Sequence, residues 1–305
     1  MTQIRTPIDA ICRSLLQKAV RRADVQVTVS AAIRLIDHNE TLWLRNRLGV
    51  ISFEECWQTA ENINFNSDAE NLISQYVALA KSSKNKDAAG LGSLAYELSI
   101  GNSSVLISND SNNRHLKIIC EAIKRPNDFW SWIKSIELNE RQTKIVMHAE
   151  SGFRLAGWPW DKAFAISTAY LSATSIIPPQ KTVLAERDND FPYWIAIDKH
   201  TPEGKRALNR CEDKLKIDKD ILGWIQFYLE SAKCYALEDS YWWTREQSWR
   251  LAKYGLNITK AELIWNEAST YLKELLTTQQ DNLINRLKTS ELRYNTTINK
   301  QEKLI

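Results

Sequence analysis

The stretch SLLQKAVRRADVQVTVSAAIRLID, residues Ser14–Asp37, decides the fold class of this chain. Its apolar residues recur every three or four positions, the spacing that places side chains on one face of an α-helix. Two successive amphipathic helices are therefore predicted, marked by Ile11, Leu15, Leu16 and Ala19 and then by Val25, Val29, Ala32, Ile33 and Ile36. The same period continues through almost the whole sequence. We therefore expect an all-α, bundle-like fold with at most one short extended segment, at residues 193–197.

Irregular segments interrupt this helical pattern at several points. Gly90 and Gly92 are expected to break a helix, and SGFRLAGWPW, residues 151–160, predicts a second break. The segment Gly101–Asn113 is polar and rich in turn-forming residues, so it predicts a loop. The loop separates a first helical region, residues 1–99, from a second, residues 114–305, that carries the candidate site. The two regions are either separate units or one continuous domain.

The composition is that of a globular protein, since 44% of the 305 residues are hydrophobic and 25% are charged. The formal net charge of +3 is weak support for a polyanionic partner. Five cysteines and four histidines are scattered without the spacing of a metal site, and an odd cysteine count argues against a complete disulfide framework. We recognise no signal peptide and no membrane-spanning stretch, so we expect a reduced, cytoplasmic protein without metal or membrane.

A motif in the first sixty residues resembles the helical collar region of clamp-loader-type ATPases, including the replication-associated recombination ATPases. The shared pattern is a helix with LQKAxRR, an acidic residue, a second helix, and a paired-arginine helix that runs into an acidic pair. The residues that carry it are Leu16, Gln17, Lys18, Ala19, Arg21, Arg22, Asp24, Arg45, Arg47, Glu54 and Glu55. The resemblance implies a DNA-associated setting, with a homo-oligomer or a replication protein as partner. The GxxxxGK[ST] loop that cradles phosphates is absent, so no nucleotide cofactor and no ATP hydrolysis are expected.

The first candidate site is FPYWIAIDKHTPEGKRAL, residues Phe191–Leu208. A hydroxyl residue followed by Pro202 predicts a helix start, and the exposed N–H groups of a helix start favour anions. We therefore predict a pocket for an extruded nucleotide at this point. Its catalytic groups are Asp198 and His200, and its substrate-binding residues are Phe191, Tyr193, Trp194, Lys199, Thr201 and Lys205. The alternative is local, with Asp198 capping the helix or pairing with Lys205.

Two further aromatic clusters are conspicuous in the sequence. GWPWDK, residues Gly157–Lys162, places Trp158 and Trp160 on either side of a proline, either as additional substrate-binding residues or as a packed corner. YWWTREQSWR, residues Tyr241–Arg250, has two tryptophans seven positions apart on one helix face. We interpret this last cluster as core packing, because large rings bury the most apolar area per residue.

Two functions are predicted. The first is a base-excision enzyme of the DNA glycosylase type, which holds an extruded base among rings and uses the Asp198 carboxylate without metal, ATP or other cofactor. The alternative is a non-catalytic, collar-like adaptor that binds DNA or a replication partner. In both, the predicted DNA contacts come from the N-terminal cations Lys18, Arg21, Arg22, Arg45 and Arg47, for which a solvated helix face is the other interpretation.

Overall fold

A computed structural model of the chain describes residues 7–174, 182–183, 202–234, 237–238, 240–272 and 274–275. Its α-helices are α1 (Pro7–Arg21), α2 (Val25–Asp37), α3 (Thr41–Glu55), α4 (Ala69–Lys81), α5 (Asp87–Ser99), α6 (Asn113–Lys124), α7 (Pro126–Ser135), α8 (Glu140–Leu155), α9 (Pro159–Thr174), α10 (Pro202–Leu215), α11 (Lys219–Gln226), α12 (Tyr241–Ala252) and α13 (258–272). The predicted all-α fold is confirmed. The extended segment expected at 193–197 lies outside the described residues.

Short irregular elements connect these helices. Trp57–Asn62 and Ser103–Val105 form 3-10 turns, and Phe227–Ser231 continues α11 as a π-helical turn. Two residue pairs form the antiparallel strands β1 (Thr182–Val183) and β2 (Leu237–Glu238). The strands are too short to change the fold class.

Side-chain caps fix where several helices begin. Asp24 accepts a hydrogen bond from the backbone N–H of Val27 and starts α2, and Asp68 does the same for α4. Asn139 and Gln142 form a reciprocal capping box at the start of α8. Such caps satisfy N–H groups that have no partner within the helix, each contributing roughly 0.5–2 kcal/mol.

The centre of the fold is α5, which packs against α6, α9 and α12. The most extensive helix pairing is that of α8 with α9, while α1 and α2 pack together and against α4. Because α5 precedes the 101–113 loop and its neighbours follow it, one hydrophobic core extends across that loop. Its most buried large side chains include Trp57, Tyr76 and Phe53.

The expected helix break at Gly90 and Gly92 is wrong, because both residues lie inside α5. A Cβ atom at Gly90 would lie 2.3 Å from the backbone carbon of Trp242, at the start of α12. At Gly92 it would lie 3.0 Å from the backbone of Ala163 in α9. The glycines therefore allow close helix contact rather than chain reversal. The break expected at 151–160 is also shorter than predicted, since α8 continues to Leu155.

Candidate functional site

A pocket of about 590 Å³ opens between α1, α3 and the start of α9. Four segments line it: α1 with Arg13, Ser14, Gln17, Lys18 and Arg21; α3 with Trp43, Arg47 and Glu54; the α9 start with Trp158, Trp160, Asp161 and Phe164; and the π-helical turn with Phe227 and Ser231. The pocket thus brings together two sets of residues that the sequence predicted separately. These are the N-terminal cations and the GWPWDK cluster.

Tryptophan rings form the apolar part of the pocket wall. Trp158 is 69% exposed, which is rare for so large a ring, and Trp160 is 37% exposed. The ring centroid of Trp160 lies 4.6 Å from that of Tyr96 in α5, so one of its faces is held by the core. The guanidinium of Arg13 lies 5.0 Å from the ring centroid of Trp43. The wall therefore offers flat surfaces beside cations, a combination that suits a planar anionic ligand.

Arg47 is the cation that spans the pocket. Its Nη1 donates to Oδ2 of Asp161 at 2.9 Å, and its Nη2 donates to Oε1 of Gln17 at 3.1 Å. Oε2 of Glu54 lies 4.0 Å from the same Nη2. The Arg47 side chain remains 23% exposed, whereas that of Arg21 is 6% exposed. A ligand in the pocket can therefore reach Arg47 far more easily than Arg21.

The floor of the pocket is a buried ion network. Arg21 donates through Nη2 to Glu54, through Nε to Glu55, and through Nη1 to the backbone carbonyl of Ser231 at 2.7 Å. Gln17 donates to Glu54, and Lys86 Nζ donates to Glu55 Oε2 at 2.9 Å. These bonds fasten α1 to α3 and fix the position of the residues above them.

The two pocket carboxylates differ in their acidity. Burial opposes ionisation of Glu54, but the cations of Arg21, Lys86 and Arg47 outweigh it and lower the pKa of this carboxyl. Burial raises the pKa of Asp161; Arg47 opposes this effect and the charge of Glu54 adds to it. Glu54 is therefore the firmly ionised partner, and Asp161 is the group more ready to accept a proton.

Of the five cations predicted to contact DNA, three line the pocket and two do not. Lys18, Arg21 and Arg47 line the pocket. Arg22 is buried and pairs with the carboxylate of Glu230, and Arg45 donates from Nε to the backbone carbonyl of Ser67 at 3.0 Å. Arg21 and Arg22 are almost fully buried, so these two residues do not lie on a solvated helix face, and the same burial keeps them from making the DNA contacts predicted for them.

Most of the first candidate site lies outside the described residues, namely Phe191, Tyr193, Trp194, Asp198, Lys199, His200 and Thr201. The helix predicted to follow Thr201 is present and begins at Pro202. Lys205, in its first turn, is exposed. In the cluster at 241–250, Trp242 and Trp243 are core residues as interpreted, and Arg245 donates to Asp110 Oδ2 at 2.7 Å. Trp249 is only partly buried, and its ring N–H donates to Ser104 Oγ at 3.1 Å.

Sequence reasoning missed Gln17, Glu54 and Asp161 as pocket residues. The signal was present in the collar-like motif, in which Arg21 at the end of α1 donates hydrogen bonds to the acidic pair Glu54 and Glu55 of α3. That motif was interpreted as a mark of kinship, although the same residue pattern also predicts an ion network between two helices. Asp161 follows Trp160 in the GWPWDK cluster, and nothing in the local sequence links it to Arg47, 114 positions away.

Neither a metal site nor a membrane-spanning helix is found in the described part of the chain. No cluster of His, Cys, Asp or Glu within it is arranged to hold a metal ion, and all five cysteines are buried free thiols. None of the helices described combines the length and the apolar character needed to cross a membrane. No family model, no curated protein and no solved structure matches this chain.

Proposed function

We propose that this protein is a nucleic-acid-binding adaptor that acts on DNA and receives one nucleotide in the pocket between α1, α3 and α9. The observation that carries the proposal is the exposed ring of Trp158 at the mouth of a pocket lined by Arg13, Lys18 and Arg47. Aromatic rings beside cations are the usual means by which proteins hold single-stranded nucleic acid.

Each part of the pocket has a counterpart in a nucleotide. Stacking of a base on an exposed ring contributes about 1–3 kcal/mol, and every base has a face that can stack. A guanidinium binds phosphate oxygens through a rigid fork of N–H donors. The volume of about 590 Å³ is also in the range of small-ligand sites.

Unpaired bases suit this geometry better than a duplex. The base faces of a duplex are covered by their neighbours, so a ring can stack on a base only where the base is unstacked or extruded. The collar-like motif supports the same setting, since the resemblance implies association with DNA.

The test is fluorescence anisotropy of a labelled, short single-stranded oligonucleotide titrated with the full chain. We expect Trp158→Ala to weaken binding about tenfold, the loss of one stacked base. The matched control is Trp132→Ala, because Trp132 is also exposed, at 40%, but belongs to α7 and does not line the pocket. Equal losses for the two variants, or none for either, would count against the pocket as the binding site.

Salt adds a second test. If cations of the pocket contact phosphates, they release counterions from the nucleic acid into solution, so affinity should fall between about 50 and 200 mM salt. For a single strand, the slope of the logarithm of affinity against the logarithm of salt concentration is roughly −0.7 per phosphate contact, and Arg47, the most exposed cation of the pocket, supplies at least one such contact. Affinity that does not vary with salt would remove the cationic part of the proposal.

A further inference from the structure

We infer that the pocket selects guanine among the bases. The Asp161 carboxylate accepts hydrogen bonds from the two adjacent N–H donors of the guanine edge, and Arg47 donates to the O6 carbonyl beside them. This inference rests on the proposed function and names the nucleotide that the same pocket prefers. Asp161 is then a specificity-determining residue, whereas Trp158 supplies stacking that is common to all bases.

Asp161 lies beside the ring on which a base would stack. The backbone carbonyl of Trp158 accepts from the N–H of Lys162 at 3.1 Å, so Trp158 belongs to the turn that begins α9. Residues three positions apart in such a turn are neighbours, and both Trp158 and Asp161 line the pocket. A base stacked on Trp158 can therefore turn one edge toward the Asp161 carboxylate.

The Asp161 carboxylate can accept more hydrogen bonds than the protein supplies. Its Oδ2 accepts from Nη1 of Arg47 at 2.9 Å, and no donor in the described part of the chain is paired with its Oδ1. An ionised carboxylate offers about four lone-pair sites. The side chain is only 12% exposed, so water has little access to it, and this burial raises the pKa of the carboxyl although Arg47 opposes the effect. A ligand that brings N–H donors would satisfy this acceptor.

Arg47 presents hydrogen-bond donors directly beside that acceptor. A guanidinium has five N–H donors, and Arg47 uses one for Asp161 and one for Gln17. The side chain is 23% exposed, so its other N–H groups can bind a ligand while the pair with Asp161 stays intact. The pocket wall therefore offers a donor and an acceptor side by side.

Guanine matches this wall better than the other bases do. Its Watson–Crick edge places the N1–H and 2-amino donors next to each other, with the O6 acceptor adjoining them. Adenine, cytosine and thymine each place a single donor on that edge, so each would leave the buried carboxylate one bond short. Cytosine offers Arg47 a second acceptor instead, but Arg47 is the more exposed partner and can bond to water. Because an unsatisfied buried acceptor is the more costly of the two, the carboxylate decides the preference.

The experiment measures fluorescence anisotropy of short oligothymidine strands that differ only at one central base. The bases are guanine, adenine, cytosine, hypoxanthine, which lacks the 2-amino group, and 7-deazaguanine, which lacks N7. For the wild-type chain we expect the guanine strand to bind about tenfold more tightly than the adenine or cytosine strand, the effect of one bidentate contact. The hypoxanthine strand should bind about threefold more weakly than the guanine strand, since one donor is lost. The 7-deazaguanine strand should match guanine, because N7 lies on another edge.

Variants assign the role of Asp161. Asp161→Asn keeps the shape of the side chain but leaves one acceptor oxygen, so the preference for guanine should fall to about twofold or less. A merely structural role predicts weaker binding of every strand with the preference unchanged. Asp128→Asn, at an exposed carboxylate of α7, is the matched control and should leave the preference as in the wild type. Thermal unfolding of each variant identifies any that fails to fold.

The outcomes distinguish this inference from the proposed function. Equal binding of the guanine, adenine and cytosine strands by the wild-type chain overturns the inference and leaves the proposed function intact. A preference for another base overturns it as well, and so does a loss with 7-deazaguanine as large as that with hypoxanthine, because a different edge is then recognised. Failure to bind any strand overturns the proposed function and the inference with it. Wild-type measurements alone decide the preference, so the result does not depend on whether a variant folds.

Discussion

Nζ of Lys86 lies 2.9 Å from Oε2 of Glu55, and both side chains are completely inaccessible to solvent. The ammonium also lies 4.5 Å from the ring centroid of Trp243, and the other oxygen of Glu55 accepts from Arg21. Burial of these charges costs free energy that their mutual attraction and hydrogen bonds must offset. The network joins α1, α3 and α12 around the residue that precedes α5, so its integrity is coupled to that of the core.

We predict that Glu55→Gln lowers the free energy of unfolding by about 3 kcal/mol, because it leaves the buried cations Lys86 and Arg21 with the single counter-charge of Glu54. Urea denaturation at neutral pH measures this change. The control is Glu121→Gln, at a surface carboxylate that pairs with Arg125, for which a much smaller loss is expected because water screens the pair. Similar losses for the two variants would show that the buried network contributes no more than a surface pair.

A second prediction concerns helix contact at Gly90. Gly90→Ala should destabilise the protein by about 3 kcal/mol, because the new methyl group would collide with the backbone at Trp242, which cannot rotate away. Gly223→Ala is the control: Gly223 lies in α11 and its added Cβ would meet no atom within 4 Å. That variant should gain roughly 0.5–1 kcal/mol from helix propensity. Denaturant midpoints distinguish the two, and stabilisation by both substitutions would contradict the close contact.

The presence and the approximate positions of the helices were predictable, because both depend on local periodicity and on capping residues. The start of α4 after Asp68 and that of α10 at Pro202 followed from such local signals. The helical position of Gly90 and Gly92 in α5 was not predictable, because the reason for each glycine is the backbone of a distant helix, at Trp242 for Gly90 and at Ala163 for Gly92. The pocket was predictable only in parts: its cations and tryptophans were identified separately. Their meeting depends on the long-range pair of Arg47 and Asp161.

The lowered pKa of Glu54 predicts how stability varies with pH. A carboxyl with a lower pKa in the folded state stabilises the protein above its unfolded pKa, near the ordinary 4.5, and this contribution is lost as pH falls below that value. Unfolding followed from about pH 7 to about pH 3 should therefore show a steep acid decline that is shallower in Glu54→Gln. Glu262→Gln, at an exposed position of α13, should follow the wild-type curve. Parallel curves for wild type and Glu54→Gln would refute the assignment.

The base-excision reaction predicted from the sequence can be tested directly through Asp198. If that carboxylate stabilises a cationic sugar or activates water, Asp198→Asn should reduce activity by about two orders of magnitude or more while DNA binding persists. The assay incubates both proteins with DNA that carries normal, damaged or modified bases and then detects abasic sites. If the wild-type protein produces no abasic sites on any substrate, the base-excision prediction is wrong and the adaptor function remains. If the two proteins are equally active, the catalytic residue is one other than Asp198.

The pairing of Arg22 with Glu230 has a consequence for the order in which the chain is made. The two residues are separated by 208 positions, and Arg21 reaches the carbonyl of Ser231 across a similar interval. The helix α1 leaves the ribosome first, and Arg21 at its end can pair early with Glu54 and Glu55. The acceptors at Glu230 and Ser231 are synthesised only after most of the chain, so until then Arg22 lacks the Glu230 carboxylate and Arg21 lacks the Ser231 carbonyl. Final closure of the fold therefore waits for the π-helical turn to arrive, and the earliest helices are among the last to be locked in place.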